Sequence, residues 1–203
     1  MRFLLCGINA KYIHSNLAIF SLKAYADRKK IPGAEIILKE YTINNYVEDI
    51  LQDLYETKAD VVIFSCYIWN ISFVRELAAE LKKVSPAVKI WAGGPEVSYA
   101  ANKFLEQNSA FDLIMQGEGE EVFSELIRFA LGDKYFAGEE NTNSTNHIDM
   151  TKLQKLQGIA VRDFSEKSAL ENGESSMESK SKIINTGFAT LMNMDTIPFV
   201  YED

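Results

Sequence analysis

The residues of this chain that invite chemistry are two groups of glycines and one serine. KIWAGGPEVSY (residues 89–99) and LIMQGEGEEVF (residues 113–123) each leave an apolar run through closely spaced glycines and enter a helix-like pattern. Removing side chains at two successive strand ends bares the backbone, so a large ligand can lie against it with amides and hydroxyls as its polar partners. Gly93-Gly94-Pro95 alone reads as a turn, and Gly117 and Gly119 alone read as helix-entry residues. The two together, with Ser65 between them in space, favour the ligand. Catalysis by side chains is not indicated, because His14 and His147 lie in different regions and no nucleophile–base pair stands out. Cys6 and Cys66 each sit in an apolar strand-like run and read as buried reduced thiols rather than a disulfide. A zinc or iron–sulfur site needs more cysteines at close spacing.

The elements that must position these residues are legible from periodicity. Apolar runs at residues 2–7, 35–40, 60–65, 88–92 and 112–115 read as strands. Between and after them, helical spacing of apolar residues covers 15–28, 46–57, 71–81 with Pro86 closing it, 98–107, and 122–130 with Gly132 as the stop. This alternation implies a flavodoxin-like (Rossmann-like) five-stranded parallel sheet with helices on both faces and strand order 2-1-3-4-5. Its ligand is expected beyond the carboxyl ends of the strands, near the switch point between strands 1 and 3. Residues 1–132 form this domain, and the polar, aperiodic residues 133–151 form a linker or long loop. Residues 152–203 read as a small β-hairpin, with strands at 158–164 and 182–186 around a Ser- and Glu-rich stretch, followed by an extended tail.

Composition narrows the partners. At 203 residues with 47% apolar and 25% charged, the chain is that of an ordinary globular protein, and a net charge of −8 argues against nucleic acid. No apolar run is long enough to cross a bilayer, and the N-terminus lacks a signal peptide's apolar core and cleavage site, so a cytoplasmic protein is expected.

Familiar nucleotide sites do not fit the loops on the ligand face, which are INAKYIHS (8–15), SCYIWN (65–70), GGPEV (93–97) and QGEGE (116–120). A phosphoaspartate receiver wants an Asp ending strand 3 and a Lys ending strand 5. A flavodoxin wants a Ser/Thr-rich loop after strand 1, and a Rossmann NAD site wants Gly-x-Gly-x-x-Gly opening the first helix. None is present.

INAKYIHSNLA, WAGGPEVS and DLIMQGEGEEVF together resemble the N-terminal cobalamin (vitamin B12)-binding domain of B12-binding radical SAM proteins. The resemblance covers about residues 1–131, and DTIPFVYED at the end resembles the segment leading into a radical SAM barrel. The barrel's CxxxCxxC motif is absent, so the chain reads as part of a longer enzyme. The resemblance implies cobalamin as cofactor, with S-adenosylmethionine and a [4Fe-4S] cluster in the missing domain, which is then the partner. It also implies a methyltransferase-like activity for the whole protein and none for this part alone. The better-known cobalamin domains carry Asp-x-His-x-x-Gly after strand 1, whose His ligates cobalt. Here Asn9 stands at the Asp position, Lys11 at the His and His14 at the Gly. A protonated Lys cannot ligate cobalt, so base-off cobalamin with no protein His beneath it is implied, and His14 is the remaining candidate ligand. By the same resemblance the nucleotide tail passes Ser65 and Gly93-Gly94-Pro95, flanked by Gly117, Glu118 and Gly119. Asn9, Lys11, Tyr12 and Ser15 then lie beneath the corrin, with Tyr12 and Tyr67 as aromatic surface. A different reading also stands, in which the fold has lost cobalamin and serves as a docking domain. A stand-alone nucleotide-binding domain is disfavoured by the missing phosphate loop.

Overall fold

The computed structural model describes residues 1–132, 153–163 and 182–200. The linker expected at 133–151, with His147, and the Ser- and Glu-rich stretch at 165–181 lie outside the described residues. The chain runs β1 (Arg2–Asn9), α1 (Leu17–Arg28), β2 (Glu35–Thr42), α2 (Val47–Glu56), β3 (Val61–Ser65), α3 (Ile71–Val84) and β4 (Lys89–Gly93). It continues through α4 (Pro95–Ser98), α5 (Ala101–Gln107), β5 (Leu113–Met115), α6 (Gly119–Gly132), β6 (Ile159–Asp163) and β7 (Lys182–Asn185). The strands form one sheet in the order β2-β1-β3-β4-β5-β6-β7, parallel through β5. The expected 2-1-3-4-5 core is therefore present.

Alternation along each strand sorts the apolar side chains into two cores. Phe3 and Leu5 pack with Ile63, Trp91 and the inner faces of α1 and α6. Leu4, Cys6 and Ile8 pack with Ile50 and Leu54 of α2, Val74 and Leu77 of α3, and Phe104 and Leu105 of α5. Both cysteines are free and buried, and burial pushes both thiols well above their ordinary range.

Two elements differ from the sequence reading. The single helix at 98–107 is two, because Pro95 starts a turn earlier and the chain breaks at Ala100 (φ −129°, ψ 37°) before α5. Ser98 Oγ, at the end of α4, donates to Gly94 O (2.8 Å) and Met115 O (3.1 Å), tying this turn to β5. The hairpin, expected to pack on the sheet domain, extends the sheet itself. β6 pairs antiparallel with β5, and β7 with β6, giving seven strands. The pairing satisfies the outer backbone groups of β5, which would otherwise be an open edge.

At the start of β5, Asp112 accepts hydrogen bonds from Lys82 Nζ (2.8 Å) and the Ile90 amide (2.7 Å). Neighbouring Lys89 is held down to about 8, chiefly by burial and also by Lys82, against the raising influence of Asp112. Between about 8 and the ordinary 10.5 the unfolded chain therefore binds more protons at Lys89 than the folded one. This contribution raises stability as pH climbs through that window, while the two buried thiols pull the other way once the unfolded thiols ionise. Lys89→Met isolates the lysine's share. In urea melts its stability advantage over wild type is expected to be largest below pH 8 and to close by pH 10.5. An advantage that stays constant across that range would contradict the account.

Candidate functional site

The site arises where one row of side chains on the α1/α6 face runs out. Leu5, Ile63 and Trp91 are neighbours in register across β1, β3 and β4 and fill that face. Two residues on along each strand the same row reads Gly7, Ser65, Gly93. Its loss of bulk opens a cleft of ≈ 120 Å³ over β3–β5, between α1 and the entry to α6. The walls come from Ala18, Ile19 and Leu22 of α1, Met115 of β5, and Gly117, Gly119 and Glu120 before and within α6. Ile63, Phe64, Ser65, Tyr67, Gly93 and Gly94 complete the lining.

The helices flanking the cleft are tied together. Ser21 Oγ donates to Glu120 Oε1 (2.7 Å), the Tyr25 hydroxyl donates to Glu121, and Lys29 pairs with Glu121 (3.2 Å). The Tyr25 hydrogen bond and the Lys29 charge hold the Glu121 carboxyl below its usual range, against a burial penalty. The same bond raises the Tyr25 hydroxyl. Inside the cleft the polar atom of interest is Ser65 Oγ. Ser65 is only 8% exposed, and among the described residues its hydroxyl has no hydrogen-bond partner. Ser65 lines the cleft, so its hydroxyl is available to a ligand there.

The glycines divide by role. A Cβ on Gly93 would be tight only against the mobile end of Met115, 3.3 Å from Cε, with Met115 Cβ and O at ordinary contact distance, so this glycine clears the cleft. A Cβ on Gly94 would lie 2.4 Å from Cys66 O, and its φ of +106° disfavours any side chain. Gly94 thus lets the loop after β3 cross the loop after β4. Gly117 has φ +87° and faces Ala189 as well as the cleft, and Gly119 leaves room for Leu22.

The switch point between β1 and β3, where the ligand was expected, is closed by the protein itself. Asn16 caps α1 and packs on Gly7, where a Cβ would come within 2.9 Å of Asn16 Cβ. Glu40 accepts from Asn9 Nδ2 (2.8 Å) and the Asn16 amide (2.7 Å). Asn70 Nδ2 and Trp69 Nε1 both donate to Ile8 O. Above this lacing Tyr67 and Trp69 stack, with centroids 4.5 Å apart and planes 5° from parallel.

Of the residues singled out from sequence, Ser65, Tyr67, Gly93, Gly94, Gly117 and Gly119 meet in the cleft. Asn9 is buried on Glu40, while Lys11, Tyr12, His14 and Ser15 are exposed in the loop after β1 and do not line it. Pro95 opens α4 outside the lining, and the Glu118 carboxylate turns away to the Met192 amide (2.6 Å). Sequence reasoning missed Gly7, which makes room for Asn16 beside the cleft, and the lining residues Ala18, Ile19, Leu22, Ile63, Phe64, Met115 and Glu120. The period-2 series Phe3, Leu5, Gly7 carried the signal for the first of these.

A protein-family model described as the B12 binding domain matches residues 4–127. The cobalamin-dependent radical SAM methyltransferase TokK of Streptomyces tokunonensis is 31% identical over 128 residues, which are 63% of this chain and 18% of that protein. The 2-(S-pantetheinyl)-carbapenam-3-carboxylate methyltransferase of Streptantibioticus cattleyicolor is 35% identical over 110 residues, 54% of this chain and 14% of the relative. The chain therefore spans less than a fifth of these relatives' length. Among solved structures, the apo form of OxsB, a cobalamin-dependent S-adenosylmethionine radical enzyme, superposes with a TM-score of 0.64 at 16% identity, covering 97% of this chain and 23% of that one. The methyltransferase TsrM of Kitasatospora setae, with cobalamin and a [4Fe-4S] cluster bound, superposes with a TM-score of 0.55 at 13% identity, covering 80% and 29%. These likenesses are of fold. With the family model spanning more than half of its residues, this chain belongs to the B12-binding domain family.

Proposed function

We propose that this chain is the cobalamin-holding module of a radical SAM methyltransferase. It would take the cofactor base-off, with its nucleotide tail in the cleft and no protein histidine on cobalt. The observation that carries this reading is the apolar cleft itself, whose floor is cleared by Gly93 and which Ser65 lines with a hydroxyl that no described residue engages. A flat heteroaromatic base would suit such a slot, where Ile19, Leu22 and Met115 would offer apolar surface to its faces and Ser65 Oγ would be the donor for a ring nitrogen. Glu120, held by Ser21, leaves a carboxylate at the lip for a sugar hydroxyl. The stacked Tyr67 and Trp69 and the exposed Tyr12 offer a shelf for the corrin. Bound cobalamin supplies a carrier for a methyl group, and this chain's residues hold and orient it. The iron–sulfur and S-adenosylmethionine chemistry belongs to the partner domain in this reading.

The test is a spectral titration with hydroxocobalamin, followed by electron paramagnetic resonance of the reduced, cobalt(II) complex. Saturable binding with no nitrogen superhyperfine splitting is expected. A nitrogen triplet abolished by His14→Ala would overturn the ligand-free lower face, and absence of binding would overturn the module itself.

A further inference from the structure

The family match ends at residue 127, and the cleft is lined by residues within it, yet the loop that forms one wall is braced by residues beyond it. The chain after β7 doubles back over the loop that enters α6. Gln116 is 3% exposed and its backbone is held on both sides, the amide donating to Gly158 O (2.7 Å) and the carbonyl accepting from the Ala189 amide (3.1 Å). Its side chain donates to Asn185 Oδ1 (2.8 Å) and Gly187 O (3.2 Å). Ala189 sits in a notch made by two glycines of positive φ. A Cβ on Gly117 would come 3.3 Å from the Ala189 amide nitrogen, and one on Gly158 would come 2.8 Å from Ala189 Cβ. Further along, the Met192 amide donates to Glu118 Oε2 (2.6 Å), and Arg28 Nη1, at the end of α1, donates to Thr196 O (3.1 Å). This one segment thus fastens the β5–α6 loop from behind and reaches the end of α1. Those two elements are the opposite walls of the cleft.

We propose that residues 185–196 are a strap that sets the width of the cofactor cleft, with Gln116 and Glu118 as positioning residues that act through Met115, Gly117 and Gly119. The proposal rests on the cobalamin reading for its ligand, but its mechanical part does not. Gly117 and Gly119 give the β5–α6 loop freedom that a ligand-contacting wall cannot keep. Five hydrogen bonds between residues 185–196 and the Gln116 carbonyl and side chain, Glu118 and Arg28, together with the Ala189 notch, remove it. A loop that opens part of the time lowers apparent affinity in proportion to the fraction of closed protein. Anything that pulls on the strap would loosen the cofactor without touching it.

The test uses deletion of residues 187–203, Glu118→Ala and Glu118→Gln, each read two ways. One reading is amide hydrogen exchange of residues 113–120 without ligand, and the other is hydroxocobalamin affinity. The deletion is expected to raise exchange across 113–120 while β1 and β3 stay protected, and to weaken binding by about tenfold or more. Glu118→Ala is expected to weaken binding about fivefold, and Glu118→Gln, whose side-chain carbonyl still accepts from Met192, to restore it within about twofold. Unchanged exchange in the deletion, or Gln behaving as Ala does, would overturn the strap. Wild-type protein that bound no cobalamin would sink the proposed function, and the exchange data would still decide the strap.

Discussion

Gly94→Ala is expected to lose about 3 kcal/mol of folding stability, and Gly93→Ala, one residue away, less than about 1 kcal/mol. The difference follows from what each new methyl meets. At Gly94 it would meet a backbone carbonyl at 2.4 Å with φ at +106°, so both the clash and the strained conformation oppose it. Neither partner can yield, because the Cys66 amide is bonded to Gly93 O (2.8 Å) and the two loops are locked together. At Gly93 the neighbour is the terminal methyl of Met115, which can rotate aside. The ligand effects invert the order. Gly93→Leu fills the cleft and is expected to weaken hydroxocobalamin binding about 100-fold, the upper end of a 1–3 kcal/mol overpacking cost, while the protein stays folded. Urea melts paired with titrations check both. A stable Gly94→Ala, or a Gly93→Leu that binds as wild type does, would contradict the division of labour. The glycine pair that looked like one motif in sequence therefore does two jobs.

Ser65 gives the second large effect, which differs between two measurements. In the ligand-free protein the hydroxyl lines the cleft and bonds no described residue, so Ser65→Ala is expected to leave stability unchanged. In the complex the same change removes a hydrogen bond, weakening cobalamin about fivefold to tenfold. Ser65→Leu continues the bulky row of Leu5, Ile63 and Trp91 across the opening and is expected to abolish measurable binding in a folded protein. A purely structural serine would behave oppositely: Ser65→Ala would destabilise the fold and leave affinity alone.

How far this was legible beforehand varies with the kind of information each feature carries. The parallel core and its strand order follow from apolar runs alternating with helical spacing, which is local. Ser65, Gly93 and Gly117 were legible because small residues at strand ends stand out against Val, Ile and Phe. The row Gly7–Ser65–Gly93 was not, since it exists only once β1, β3 and β4 are in register. Ile19 and Leu22 looked like ordinary core positions of a helix, and only the missing bulk opposite them turns that face into a wall. The exposed position of Lys11 and His14 relative to the cleft depends on Asn16 and Glu40 closing the β1 end, a tertiary event. Residues 158–164 and 182–186 read as strands, but nothing local announced that they would extend the main sheet or that the chain after them would brace the β5–α6 loop.

The central claim is that the cleft exists for the nucleotide tail of cobalamin. The most direct measurement compares the affinity of the wild-type protein for hydroxocobalamin with that for cobinamide, which has the corrin and cobalt but no tail. The account predicts that cobalamin binds at least about 100-fold more tightly, since about 2.7 kcal/mol corresponds to roughly 100 Å² of apolar surface buried in the cleft. It also predicts that Gly93→Leu erases the preference by lowering only the cobalamin affinity. Equal affinities in the wild type would mean that the cleft does not hold the tail.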